Sequence, residues 1–121
     1  MNKPISIYIA SAYTIFENKE DAVNQQINLA EDLVRTFDTK FIIHLPLLLH
    51  YWDNKFPHDY EFWMDQCINL ITYHTDCIYR IAEPFSNGAD REVALANKLH
   101  IPVFYTFVDL CAYYHLNVKG D

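Results

Sequence analysis

The hydrophobic positions change period repeatedly along the chain. Ile5-Ser-Ile-Tyr-Ile-Ala10 is a short, β-branched and nearly all-apolar run, as expected of a strand buried on both faces of a parallel sheet. Ser11-Ala-Tyr-Thr14 follows as a polar loop. From Asn18 the spacing turns helical: Val23, Ile27, Ala30, Val34 and Phe37 share a face that Leu33 widens. This predicts a helix over about residues 19–38, with Asn18 as N-cap and Asp21 as first-turn acid.

Lys40–His44 reads as a second strand. Leu45–His58 reads as a long connection holding Pro46, Pro57, His50, Trp52 and Asp53, and connections of this length in a compact domain are often functional. A second helix is expected from about Asp59 to Tyr73, a third strand at Cys77–Ile81, and a third helix ending near Leu99. A fourth strand around Val103–Phe107 and a terminal helix near Asp109–Leu116 complete the pattern.

Strand and helix alternate without an internal repeat or linker. The pattern therefore predicts one α/β domain over residues 1–121, with a small, open, mostly parallel sheet and helices on both faces. This is a Rossmann-like or flavodoxin-like three-layer architecture. Ligands of such sheets bind at the C-terminal ends of the strands, which would gather Ser11–Thr14, the segment after His44 and Pro84–Glu92 along one rim.

Pro84-Phe-Ser-Asn-Gly-Ala-Asp-Arg-Glu92 spans the third strand-to-helix turn and contains Gly88, one of two glycines; the other is Gly120. A glycine there implies close backbone approach or an unusual backbone angle. On a wheel of about 100° per residue, Glu92 falls amid Ala89, Val93, Leu95, Ala96 and Leu99, opposite Asp90, Arg91, Ala94, Asn97 and Lys98. One reading is a nucleophile or general base at the floor of a cleft, placed in the first helical turn, where the helix dipole favours an anion. The other is an Asn87 cap with Asp90 as first-turn acid and Glu92 tucked against a polar neighbour. The Ser86 hydroxyl and the backbone N–H groups of Asn87, Gly88 and Ala89 form either an anion site or a simple turn and cap.

Composition narrows the partners. With 51% hydrophobic and 16% aromatic residues the chain has ample material for a core, so disorder is excluded. A net charge of −7 argues against a nucleic-acid polymer as partner but not against one small phosphate. Cys67, Cys77 and Cys111 form no Cys-x-x-Cys pair and read as reduced thiols of a cytoplasmic protein. Met1-Asn-Lys-Pro4 lacks a signal-peptide core, and the longest apolar stretch, Phe41–Leu49, is broken by His44 and Pro46 and too short to span a membrane. The histidines show no His-x-x-x-His spacing or cluster with cysteine, so no metal and no other cofactor is assigned.

Ile7-Tyr-Ile-Ala-Ser-Ala-Tyr-Thr14, His50 with Tyr60-Glu-Phe-Trp63, and Ser86-Asn-Gly-Ala-Asp-Arg-Glu92 with Val93-Ala-Leu-Ala96 and His100-Ile-Pro-Val103 extend over most of the chain. In that order they resemble the nucleoside 2-deoxyribosyltransferase superfamily, which includes the 2′-deoxynucleoside 5′-phosphate N-hydrolases. Ser86–Glu92 is the most specific piece. The resemblance implies that Glu92 attacks the anomeric carbon of a nucleoside or nucleotide, giving a covalent glycosyl-enzyme that water or a second base resolves. Transferases of the family usually carry aspartate where this chain has Ser86, and the phosphate-handling hydrolases carry serine. Ser86 thus tilts the implied substrate towards a nucleoside 5′-monophosphate.

The family's second-helix aspartate falls at Ile68, so Asp65, one turn earlier, is the stand-in as proton donor. Lacking that acid, the same fold would serve as a non-catalytic nucleotide-binding or sensing module; an oligomeric flavodoxin-like domain without a ligand is the plainest alternative. Tyr8 and Tyr13 could flank a base. Core packing is the competing reading for Tyr8, and for Tyr13 the two stand even. Ser11 could bind the ligand or close its own turn. His50, Trp52 and Asp53 could line a base pocket or pack beneath the long connection. Arg91 could pair with Asp90, reach a phosphate or be solvated, solvation being the default. Relatives assemble through helices, which implies a homodimer or higher homo-oligomer with Tyr113-Tyr114 as a contact.

Overall fold

The computed structural model describes residues 3–117; Met1 and Asn2 of the N-terminal segment, and Gly120, lie outside the described residues. Four strands, β1 (Ile5–Ala10), β2 (Phe41–His44), β3 (Cys77–Arg80) and β4 (Val103–Phe104), form one parallel sheet in the order β2-β1-β3-β4. The helices are α1 (Lys19–Phe37), α2 (Leu49–Lys55), α3 (Tyr60–His74), α4 (Asn87–Lys98) and α5 (Phe107–Tyr114). Among the described residues, no helix is long and apolar enough to cross a membrane.

The alternation of side chains along β1 builds the layers. Ile7 and Ile9 join Leu33 and Phe37 of α1 and Leu110 of α5 in one core. Tyr8 and Ala10 point the other way, to Ile71 of α3 and Ala89 and Ala96 of α4. The result is the expected three-layer α/β domain. Tyr8 pairs with Ile78 and Ala10 with Arg80, which carries β1 and β3 side by side to their C-terminal ends.

Local chemistry sets the helix starts. Asn18 accepts a hydrogen bond from Glu20 N, Asp59 from Phe62 N, Ser86 from Ala89 N and Thr106 from Asp109 N, each satisfying an otherwise orphaned donor. The cap of α4 is thus Ser86, not Asn87. With Asn87 as the first helical residue, Glu92 falls in the second turn, beyond the free N–H groups of the first. Thr106 also explains why β4 stops at Phe104 rather than Phe107: the hydroxyl caps α5, which begins at Phe107.

Two further expectations change. The connection Leu45–His58 is largely ordered, as a 3₁₀ turn at Pro46–Leu48 followed by α2. In α1 the buried positions are Ala22, Val23, Gln26, Leu33 and Phe37, whereas Ile27 and Val34 are 40% and 39% exposed. Both sets have helical spacing. The polar partners waiting for Gln26 beneath the helix decide the phase.

Candidate active site

The segments that follow β1, β2 and β3 meet at one rim and enclose a cavity of about 270 Å³. From β1 the chain runs to β2 on one side of it in the sheet, and β3 lies on the other, so the cavity sits at the point where the strand order reverses. Ligands of open α/β sheets lodge there because the connections diverge and leave a crevice.

Glu92 lines this cavity and is only 7% exposed. Tyr8, fully buried on β1, donates its hydroxyl to Glu92 Oε2. Burial pushes the Glu92 carboxyl up to about 7, and the Tyr8 hydrogen bond and the charge of Arg80 only partly offset it. Burial first, then the Glu92 charge, holds the Tyr8 phenol well above its usual range, so Tyr8 remains a donor. The Cys67 thiol, also on the cavity wall, is raised to about 11, chiefly by burial, and stays neutral.

Ser86, Gly88 and Ala89 line the cavity beside Glu92; Asn87 is exposed and lies outside the lining. Ser86 Oγ accepts from Ala89 N at 3.1 Å, which leaves its own hydroxyl proton for another acceptor. Gly88 is helical. A Cβ there would lie 3.2 Å from the Tyr60 hydroxyl, so close approach, not an unusual backbone angle, accounts for the glycine. Ala89, almost fully buried, packs the helix start onto the sheet.

Ser11, Tyr13 and His50 also reach the cavity. Asn54 presents its amide nitrogen to His50 Nε2 at 3.2 Å, so with this amide orientation Nε2 accepts. In the neutral ring Nδ1 then carries the proton and donates to the Tyr13 hydroxyl at 2.6 Å. Tyr13 is therefore fixed edge-on to His50. Asp53 lines the cavity while accepting from Trp63 Nε1 at 2.7 Å. Trp52 packs edge-on against Trp63 with ring centroids 5.0 Å apart and lies outside the lining.

Asp65 is not brought to the site. Tyr60, Trp63, Met64 and Cys67 form the face of α3 that looks into the cavity, and Asp65 is exposed on another face. Ile68 is partly buried and also outside the lining. Among the described residues, Asp53 and Glu92 are the carboxylates on the wall, and no lysine or arginine lines it. Arg91 pairs with neither Asp90 nor the cavity: it makes a two-point bridge to Glu61 at 2.9 and 3.2 Å, tying α4 to α3. Tyr113 and Tyr114 contact each other with centroids 4.8 Å apart, and Tyr114 packs against the α1–α5 core. Among the described residues, no group of three or more His, Cys, Asp or Glu is placed to hold a metal ion.

Sequence reasoning missed three residues. Gln26 donates to Ile9 O at 2.9 Å and Ser11 Oγ at 2.8 Å and accepts from Leu47 N at 3.2 Å, joining the loops after β1 and β2. Its signal was a polar residue in register with Ala22, Leu33 and Phe37. Cys67 could have been found by extending the Tyr60, Trp63, Met64 face one more turn. Arg80, an arginine ending an otherwise apolar strand, was the third.

The fold and site define a small doubly wound α/β protein with a carboxylate-floored cavity at its switch point. Comparisons of the chain with protein-family models, with curated proteins and with solved structures find no match.

Proposed function

We propose that this protein cleaves or transfers the N-glycosidic bond of a deoxynucleoside or nucleoside 5′-monophosphate, through a glycosyl ester on Glu92, as its resemblance to the nucleoside 2-deoxyribosyltransferase superfamily implies. The observation that carries the proposal is Glu92 itself: a buried carboxylate on the cavity floor, held by Tyr8. A desolvated but ionisable carboxylate is what a nucleophile requires.

In the first step a Glu92 oxygen bonds to the anomeric carbon while the carbon–nitrogen bond breaks. The base leaves with the electron pair and takes a proton from water. In the second, water or another base attacks the same carbon, the ester carbon–oxygen bond breaks, and the carboxylate is restored. The Tyr8 hydrogen bond to Oε2 orients the group and leaves Oε1 for attack. An anionic 5′-phosphate would find donors at the Ser86–Ala89 helix start. That no lysine or arginine lines the wall among the described residues favours an uncharged nucleoside. We place the protein in the cytoplasm, where its free thiols stay reduced, and as a homo-oligomer.

The test is release of free base from matched nucleosides and 5′-monophosphates by the wild type and Glu92→Gln. Release that disappears in Glu92→Gln supports the proposal; release unchanged by the substitution rejects it. Ser86→Asp keeps a good N-cap and is expected to lower preference for phosphorylated over unphosphorylated substrate. An unchanged preference removes the phosphate site.

The position of Asp65, exposed and away from the cavity, favours a second reading as a non-catalytic nucleotide-binding module. Tight nucleotide binding by calorimetry without turnover would establish it.

A further inference from the structure

Among the described residues, Arg80 is the one buried guanidinium, at 3% exposure, and Glu92 the one buried carboxylate. Sheet geometry puts them under the same helix. Tyr8 faces α3 and α4, Ile78 opposite it does the same, and Arg80, two residues further along β3, returns to that face. Arg80 therefore lies beneath the start of α4, diagonal to the tyrosine that holds Glu92. A guanidinium stays charged even when buried, so this charge is permanent and needs a counterpart. Arg80 donates to the carbonyl of Ile81 and approaches Asp90 Oδ1 at 3.5 Å. That separation exceeds the usual length of a charge-assisted hydrogen bond, and Asp90 is half in solvent. Asp90 thus neutralises Arg80 incompletely.

We propose that Arg80 is a positioning residue for the cavity carboxylate: from beneath α4 its buried charge favours the ionised form of Glu92 without touching the ligand. Other titratable groups face Glu92 or share its cavity. Tyr8 comes from β1, Cys67 and Tyr60 from α3, His50 and Asp53 from α2, and His58 from the turn before α3. None of these is a permanent cation. Arg80 is the charge that lowers the Glu92 carboxyl against the upward push of burial.

This deepens the role proposed for Glu92, and its test measures the titration of Glu92 itself, so it stands or falls independently of turnover. The experiment follows the Glu92 side-chain carboxyl by ¹³C NMR across pH in the full chain. Arg80→Met is expected to raise the midpoint by about one pH unit, whereas Arg80→Lys, which keeps the charge, leaves it within about 0.3. An arginine that only packs would lower the melting temperature and leave the midpoint unmoved, which overturns the proposal. If Arg80→Met does not fold, the wild type carries the test. The Arg80 Nε–H resonance should shift with the midpoint of Glu92, and that transition should vanish in Glu92→Gln. An Arg80 resonance indifferent to Glu92 overturns the proposal equally.

Discussion

Tyr8 and Glu92 are 84 positions apart in the chain and share one buried hydrogen bond, from the first strand to the fourth helix. The strand supplies the donor because every second residue of β1 faces α3 and α4. The helix supplies the acceptor because Glu92 lies on the same buried face as Ala89 and Ala96.

Tyr8→Phe removes the donor and leaves a buried carboxylate oxygen without it. A loss of about 1–3 kcal/mol in stability is expected by denaturant unfolding. Because the bond favours the ionised form, the Glu92 midpoint should also rise. For a rise of one unit, base release at pH 6 would fall about tenfold.

Stability should depend on pH through Glu92. Its carboxyl has an ordinary value of 4.5 and a folded value of about 7, so the folded state binds the proton more tightly. The sign follows: stability is full below about 4.5, declines as pH rises, and levels off above about 7, with a total loss of about 3 kcal/mol. Glu92→Gln has no such slope and should be the more stable protein at pH 8. Parallel denaturation curves for the two proteins at pH 5 and pH 8 would falsify this assignment.

Base release by the wild type should rise with pH around a midpoint of about 7, as the nucleophile loses its proton. The pH profile of kcat/KM measures it. A flat profile between pH 5 and 8 would exclude Glu92 as the attacking group.

Gly88→Ala separates stability from recognition. Alanine in a helix gains up to about 1 kcal/mol over glycine, and the half-exposed Tyr60 can give way to the new Cβ. The variant should unfold no earlier than the wild type. Because Tyr60 lines the cavity, its displacement should raise KM with less change in kcat. A lowered melting temperature would show that Tyr60 cannot move.

Gln26→Leu fills a similar volume but leaves Ile9 O and Leu47 N without their partner. The expected cost is about 2–5 kcal/mol in sum, read from denaturant midpoints. Loosening of the loops after β1 and β2 should accompany it as faster amide exchange at Leu47.

Apart from the 3₁₀ turn and α2 within Leu45–His58, the order of strands and helices was legible in the sequence because each of those elements carries its own period. The rim was legible for the same reason: in a parallel sheet with helical crossovers, the segments after β1, β2 and β3 must emerge on one edge. Glu92 stood out because a carboxylate amid Ala89, Val93 and Ala96 conflicts with its surroundings.

What the sequence left open was every choice between equivalent patterns. The spacing in α1 allowed Ile27 and Val34 to be buried as readily as Ala22 and Gln26, and Gln26 decided it through partners on β1 and the turn after β2. Asp65 and Cys67 lie two residues apart on one helix, and only the docking of α3 against α4 turned Cys67 to the cavity and Asp65 to solvent. Tyr8 could have been read as core or as site; it is both, since its ring packs under α4 and its hydroxyl ends at Glu92. Periodicity is a property of neighbours along the chain, whereas a hydrogen bond between residues 84 positions apart depends on how the layers stack. The sequence alone determined the four strands, the helices other than α2 and the acid, and the stacking of the layers decided which groups would surround it.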